Sequence, residues 1–354
     1  MAESLSELLA RLLDRRYEDA AKQTVRSAAS AFDTARVRAA LAEFEAEVER
    51  LRRLNLPLQP DNPILRNLTA EIDAAARVAA NRIADGSASV SSAALAAAET
   101  LQTALPAALG ISGSVLTAWN VVSAEALAQL VAFQNAPAWA ARLAQFAGAP
   151  TAFINQLILR DFAAGRNPLR TAADVARLVD ALPRSQANIL LRTLFLQTYK
   201  HATAAAQAAN RDIIRRARRM ATLDNRVCPV CVALHGTEIP VGEPVEMHEQ
   251  CRCISVTDVI GGSLAFGPTG EEWLRGLDEQ WQRHVLGPGY WEAWQAGAVQ
   301  LGDVVGRYRD DLYGVMLTQR SLTEILGPAE AQRFHAEARR WYGEIRDPRG
   351  FPQP

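Results

Sequence analysis

The sequence predicts a mainly α fold: an elongated helical N-terminal region, a helical core with a small β/turn insertion, and a short helical C-terminal part. Three observations carry that expectation. Apolar residues recur at helical spacing over long stretches. Alanine, the strongest helix former, dominates the first two-thirds of the chain. The helical pattern lapses over residues 222–260, where proline, glycine, cysteine and β-branched residues gather. The expected divisions are 1–150, 151–262, 263–346 and a loose tail, 347–354.

Residues 1–53 read as one long helix, with Leu5, Leu8, Leu12, Ala20, Ala28, Phe32, Leu41, Phe44, Val48 and Leu51 near helical spacing. Ser4 and Glu7 match a capping box, and the prolines at 57, 60 and 63 end the element. Helices continue from Ile64 to about Arg219, with breaks expected at Asp85-Gly86, 109–113, Gly148-Ala149-Pro150, 165–168 and Pro183. The last of them runs from Gln186 to Arg219, its arginines 211, 215, 216, 218 and 219 suiting a helix C-terminus. Short strands and turns follow in 222–260, then a loop at Gly261-Gly262-Ser263. Thr269 and Glu272 form a second capping-box match, opening a helical, Trp-rich part over 269–346 with Trp273, Trp281, Trp291, Trp294 and Trp341.

Composition narrows the function. Of 354 residues, 49% are hydrophobic and 22% charged, the range of a folded globular chain. A net charge of −1 excludes an overall basic field that would hold DNA by its phosphates. The N-terminus is charged throughout and has no apolar core, so no secretory leader is expected. No apolar run reaches the length of a membrane span.

All four cysteines fall between residues 228 and 253 as Cys228-Pro-Val-Cys231 and, after sixteen residues, His248-Glu-Gln-Cys251-Arg-Cys253. Clustered cysteines in a chain without a leader point to metal rather than disulfides. A CxxC turn presents two thiolates to one tetrahedral ion, and the later HxxC or CxC completes the set. The insertion therefore reads as a zinc knuckle holding one structural ion. Five candidates compete for four places: Cys228, Cys231, His248, and one of Cys251 and Cys253, whose thiols are expected to diverge. All-cysteine ligation is the rival set, and His235 a weaker candidate. No catalytic residue is assigned. The lysines follow Ala21 and Tyr199, so no Walker loop exists. There is no HExxH, no GxSxG and no deaminase HxE before the CxxC.

Four blocks, in this order, resemble the phage head morphogenesis family, the Mu F-like minor head proteins. The first is Gly165-Arg166-Asn167-Pro168 with the helix after it. The second is the helix Thr193–Ala202. The third joins Asp224-Asn-Arg-Val-Cys228-Pro-Val-Cys231, Leu234-His235-Gly236 and His248-Glu-Gln-Cys251-Arg-Cys253. The fourth comprises Glu272-Trp273-Leu274, Gln282–Gly287 and Gly297–Asp303. Glu249 stands where the family usually has proline, and Gln197-Thr198-Tyr199 where it often has Arg-Thr-Glu. The resemblance implies a minor capsid protein of the virion, a non-enzyme assembled in the host cytoplasm. Its implied partners are the portal protein and capsid or scaffold proteins, with packaged DNA as a further candidate. Two alternatives come from the residues themselves: a zinc-containing nucleic-acid-binding module and a zinc-dependent nuclease.

Overall fold

The computed structural model describes residues 5–54, 61–108, 137–163, 167–260 and 267–344, and the single residues 56, 58, 59, 120 and 122. Over these the chain is mainly helical, with small antiparallel sheets. No helix among the described residues is long and apolar enough to cross a membrane. The chain divides into two compact units, and neither is a continuous stretch: Arg16–Leu95 with Ala128–Thr198, and Met1–Arg15 with Ala96–Leu127 and Tyr199–Pro354.

The first unit is helical. Helices α1 (Leu5–Ser30) and α2 (Ala35–Arg53) replace the single helix expected over 1–53. Thr34 makes the difference: its backbone is extended and its side chain accepts the Val37 amide, so a new helix starts there. Helix α3 (Pro63–Ala108) lines one face with Leu68, Ile72, Ala76, Ala79, Ile83, Val90 and Ala94, each at most 2% exposed. The break expected at Asp85-Gly86 does not occur. Gly86 answers to packing instead, because a Cβ there would lie 2.2 Å from Thr24 Oγ1 on α1. Helix α4 (Pro137–Ala163) likewise runs through Pro150, and α5 (Pro168–Ala209) through Pro183. Tyr17 joins α1 to α5 within this unit. Its hydroxyl donates to Asn188 O at 2.9 Å, and its ring meets Phe195 edge-on with centroids 5.7 Å apart. The break between α4 and α5 lies where Asn167-Pro168 was expected to make one. Ser4 of the first capping box, the 109–113 break, the 261–263 loop and the tail lie outside the described residues.

The second unit carries the sheets. Helix α5 ends at Ala209, ten residues before the expected Arg219. Asn210 closes it, its side-chain amide donating to Ala206 O at 2.8 Å. The arginine run then forms strand β1 (Ile214–Met220), central between β2 (Glu238–Ile239) and β3 (Ile254–Val259) in the order β2-β1-β3. Charge explains why so basic a segment is a central strand. Arg218 lies directly opposite Glu238 and pairs with it at 3.1 Å; Arg216 lies opposite Asp258 and pairs with it at 3.0 Å. Ala217 and Arg219, on the other face, are buried.

Helix α6 (Pro229–Ala233) lies between β1 and β2 in sequence. The C-terminal part comprises α7 (Gly270–Arg275), α8 (Glu279–Leu286), α9 (Pro288–Gln295), a 3-10 turn at Leu301–Val304, α10 (Leu322–Leu326) and α11 (Pro328–Glu344). The capping box at Thr269 and Glu272 opens α7 as expected. The all-helical expectation for 269–346 fails at the antiparallel hairpin β4 (Val305–Asp310) and β5 (Gly314–Gln319). Val230 of α6, Val304 and Leu317 form one buried cluster, with Cys228 and Tyr290 packed against it. The Cys/His segment thus rests on the C-terminal core.

Candidate metal centre

Cys228 is the N-cap of α6. Its backbone is extended, its sulfur accepts the Cys231 amide at 3.4 Å, and Pro229 supplies the first helical residue with its φ already set. One turn of helix brings Cys231 back beside Cys228, as the CxxC spacing requires. His248 follows Met247, which forms a parallel bridge with Met316 and accepts the Leu317 amide at 2.9 Å. A strand of the C-terminal hairpin therefore sets where His248 begins. The chain then turns: Cys251 N donates to His248 O at 3.2 Å, and Gln250 takes φ +58°, a left-handed conformation.

The five sequence candidates come together. His248 Nε2 lies 3.2 Å from Cys228 Sγ and 3.0 Å from Cys231 Sγ. Cys231 Sγ lies 3.7 Å from Cys251 Sγ and 3.2 Å from Cys253 Sγ. Two triads result, Cys228/Cys231/His248 and Cys231/Cys251/Cys253, sharing Cys231. The expectation that the Cys251 and Cys253 thiols diverge is wrong, because residues two apart share one face of an extended segment. Arg252 between them points away, to Asp224. His235 is not with the five: it is buried, and its Nδ1 accepts the Ala221 amide at 3.0 Å.

The donor set suits a soft or borderline divalent ion. Cys231, Cys251 and Cys253 are buried and Cys228 is partly so. Sulfur and imidazole donors lie 3.0–3.7 Å apart, at or inside the roughly 3.6–3.8 Å edges that zinc's bond lengths give a tetrahedron. His248 Nδ1–H donates to Glu249 O at 2.6 Å, which fixes the tautomer and leaves the Nε2 lone pair facing the sulfurs. Electrostatics mark the same need for a cation. The hydrogen bond with Cys231 leads in drawing the Cys228 thiol down to about 4. Hydrogen bonds with Cys231 and Cys253 draw Cys251 well below its ordinary value. Cys231 is pushed well above, first by its bond to Cys228. Desolvation works against a charged His248, yet its bonds to Cys228 and Cys251 carry it up to about 11. Such a cluster holds protons that a divalent ion displaces. A cavity of about 30 Å³ opens on the cluster, lined by Cys228, Cys231, His248 and Cys253 among others.

Three groups around the cluster escaped notice as site residues. Arg252 makes a bidentate pair with Asp224 at 2.5 and 2.6 Å, tying the CxC segment to the loop before the CxxC. Arg226 of that loop reaches Asp14 at 3.2 Å. The aspartate four residues before the CxxC and the arginine inside the CxC were the available signal. Arg219 reaches the cluster from β1, and no spacing in the sequence marks it.

Residues 152–256 match the family described as Phage Mu protein F like protein, a span that begins in α4, contains all five candidate ligands and ends in β3. No curated protein and no solved structure matches the chain.

Proposed function

We propose, from the premise that residues 152–256 are a Mu F-like segment of the phage head morphogenesis family, that this chain is a minor head protein of a tailed bacteriophage or prophage. In this reading it is a structural component of the virion, assembled in the host cytoplasm with the portal and capsid or scaffold proteins. It carries one zinc ion, held by four of Cys228, Cys231, His248, Cys251 and Cys253, as a staple and not as a catalyst.

The family match carries the head-protein reading. The staple rests on two adjoining triads of sulfur and imidazole donors that share Cys231. Bound there, zinc would cross-link three segments: the N-terminus of α6, the turn at His248 and the start of β3. A cavity of about 30 Å³ matches an ion or one water and lies far below the several hundred Å³ of a substrate site. The nucleic-acid alternative is weaker, because Arg216 and Arg218 are spent on cross-strand carboxylates and Arg219 is buried.

The test is particle composition. Density-purified phage particles, probed with an antibody to this chain, should contain it in a few copies, and a gene deletion should give defective heads. Absence from both full and empty particles, with normal heads in the deletion, overturns the reading.

A further inference from the structure

Arg219 is 2% exposed. Its neighbours on β1 have carboxylate partners, but among the described residues no acidic side chain pairs with Arg219. One terminal nitrogen donates to the Glu246 carbonyl and the other faces Cys251 Sγ at 3.7 Å, while Nε is buried and without a partner. A buried guanidinium that meets only neutral groups would be heavily penalised. The anionic chemistry within its reach is the sulfur cluster, which its terminal nitrogen meets at Cys251 Sγ.

That charge constrains the centre. A divalent ion with two thiolates and two imidazoles is neutral and gives Arg219 no counter-charge. With four thiolates the centre carries −2 and His248 is left out, although its tautomer is fixed and its Nε2 sits between two sulfurs. Three thiolates and one imidazole keep His248 and give −1, a charge for Arg219 to balance beside Lys200, a second buried cation that faces Cys251. Cys228 and Cys231 flank His248. For the third thiolate, Cys251 repeats the pattern of Cys228: its sulfur accepts an amide, from Cys253, at 3.4 Å, as that of Cys228 does from Cys231.

Resting on the zinc reading above, we propose that Cys228, Cys231, His248 and Cys251 form a singly anionic zinc centre whose counter-ion is Arg219, with Cys253 a buried, non-ligating thiol.

The experiment uses the full chain and four variants, R219M, R219K, C251S and C253S. Zinc stoichiometry and affinity are measured by competition with a chromophoric chelator, and cobalt(II) is the spectroscopic probe. The wild type should take one equivalent, and cobalt should show a three-sulfur, one-nitrogen tetrahedral spectrum. C253S should keep both, and C251S should lose them. R219M should weaken zinc by about 10–100-fold, as loss of an outer-shell partner does, and R219K should stay close to wild type. In R219M the thiolate-to-cobalt charge-transfer band should also move to lower energy, since the sulfurs lose a cation and an N–H donor; a packing defect does not do that. Wild-type affinity and an unmoved band in R219M overturn the counter-ion role. A metal-binding C251S beside a metal-free C253S overturns the ligand set. If R219M does not fold, R219K decides: a loss as large as that expected for R219M contradicts the role. A wild type that takes no metal fails the underlying zinc reading itself, an outcome distinct from metal binding that ignores Arg219.

Discussion

Asp224 and Arg252 show how single residues prepare the centre. Their bidentate pair joins the loop before the CxxC to the middle of the CxC, so two ligand-bearing segments are held together before any ion arrives. Replacing Asp224 with Asn keeps the size and removes the charge; zinc affinity should fall by about 10-fold or more, measured by chelator competition. An unchanged affinity would make the pair incidental. Gln250 gives a second prediction. Its left-handed backbone at the turn between His248 and Cys251 disfavours any Cβ. Gln250→Val should destabilise in chemical denaturation, because β-branching adds to a strain that Gln250 already bears, and Gln250→Gly should stabilise by about 1 kcal/mol. Equal behaviour of the two would contradict the assigned backbone. At this scale much of the site was legible: the five donors announce themselves by spacing, and Asp224 and Arg252 sit in the same motif. Arg219 was not legible. Five arginines stand between 211 and 219, and which one turns inward depends on strand pairing, which composition does not reveal.

Among elements, the departures have one common cause: a partner far away in sequence overrides a local signal. Gly86 and Pro150 look like breaks, yet α3 and α4 run through them. Gly86 is explained by Thr24 across the helix pair. The arginine-rich segment looks like a helix end until Glu238 and Asp258 are placed beside it. The hairpin β4–β5 was hidden inside a stretch whose tryptophans and capping box suggested helices alone. Thr34 was the opposite case, a local cap signal overlooked within a continuous apolar pattern. Two predictions belong here. Gly270 opens α7 directly against α6, and a Cβ there would lie 1.8 Å from Val232 O. Gly270→Ala should therefore push the two helices apart and destabilise by about 1–3 kcal/mol, read as a shifted denaturation midpoint. Leu317 is 1% exposed in the cluster with Val230 and Val304, and its amide holds the residue before His248. Leu317→Ala should cost about 2–5 kcal/mol and also lower zinc affinity. A loss of stability with no change in affinity would mean that the hairpin does not position the ligand.

For the whole molecule, the mainly helical class and the family match over residues 152–256 were legible because both rest on long patterns: periodicity over tens of residues, and motif blocks in order, of which the fourth, at 272–303, lies beyond the matched span. How the chain groups into compact units was harder to see. Each unit gathers pieces from distant parts of the chain, and the grouping lives in contacts rather than composition. The family match stops at residue 256, but α6 packs on residues near 304 and 317, and His248 is set by Met316 and Leu317. Metal and C-terminal core should therefore be stable or unstable together. The central claim is that one zinc ion staples this assembly, and it is tested most directly by metal content and melting. Full-length protein purified without chelator is compared with a Cys228→Ser/Cys231→Ser variant by elemental analysis and thermal unfolding. The account predicts one equivalent of zinc in the wild type, none in the variant, and a clearly lower melting temperature once the ion is gone. Wild-type protein that is metal-free, fails to take up added zinc and melts with the variant would contradict it.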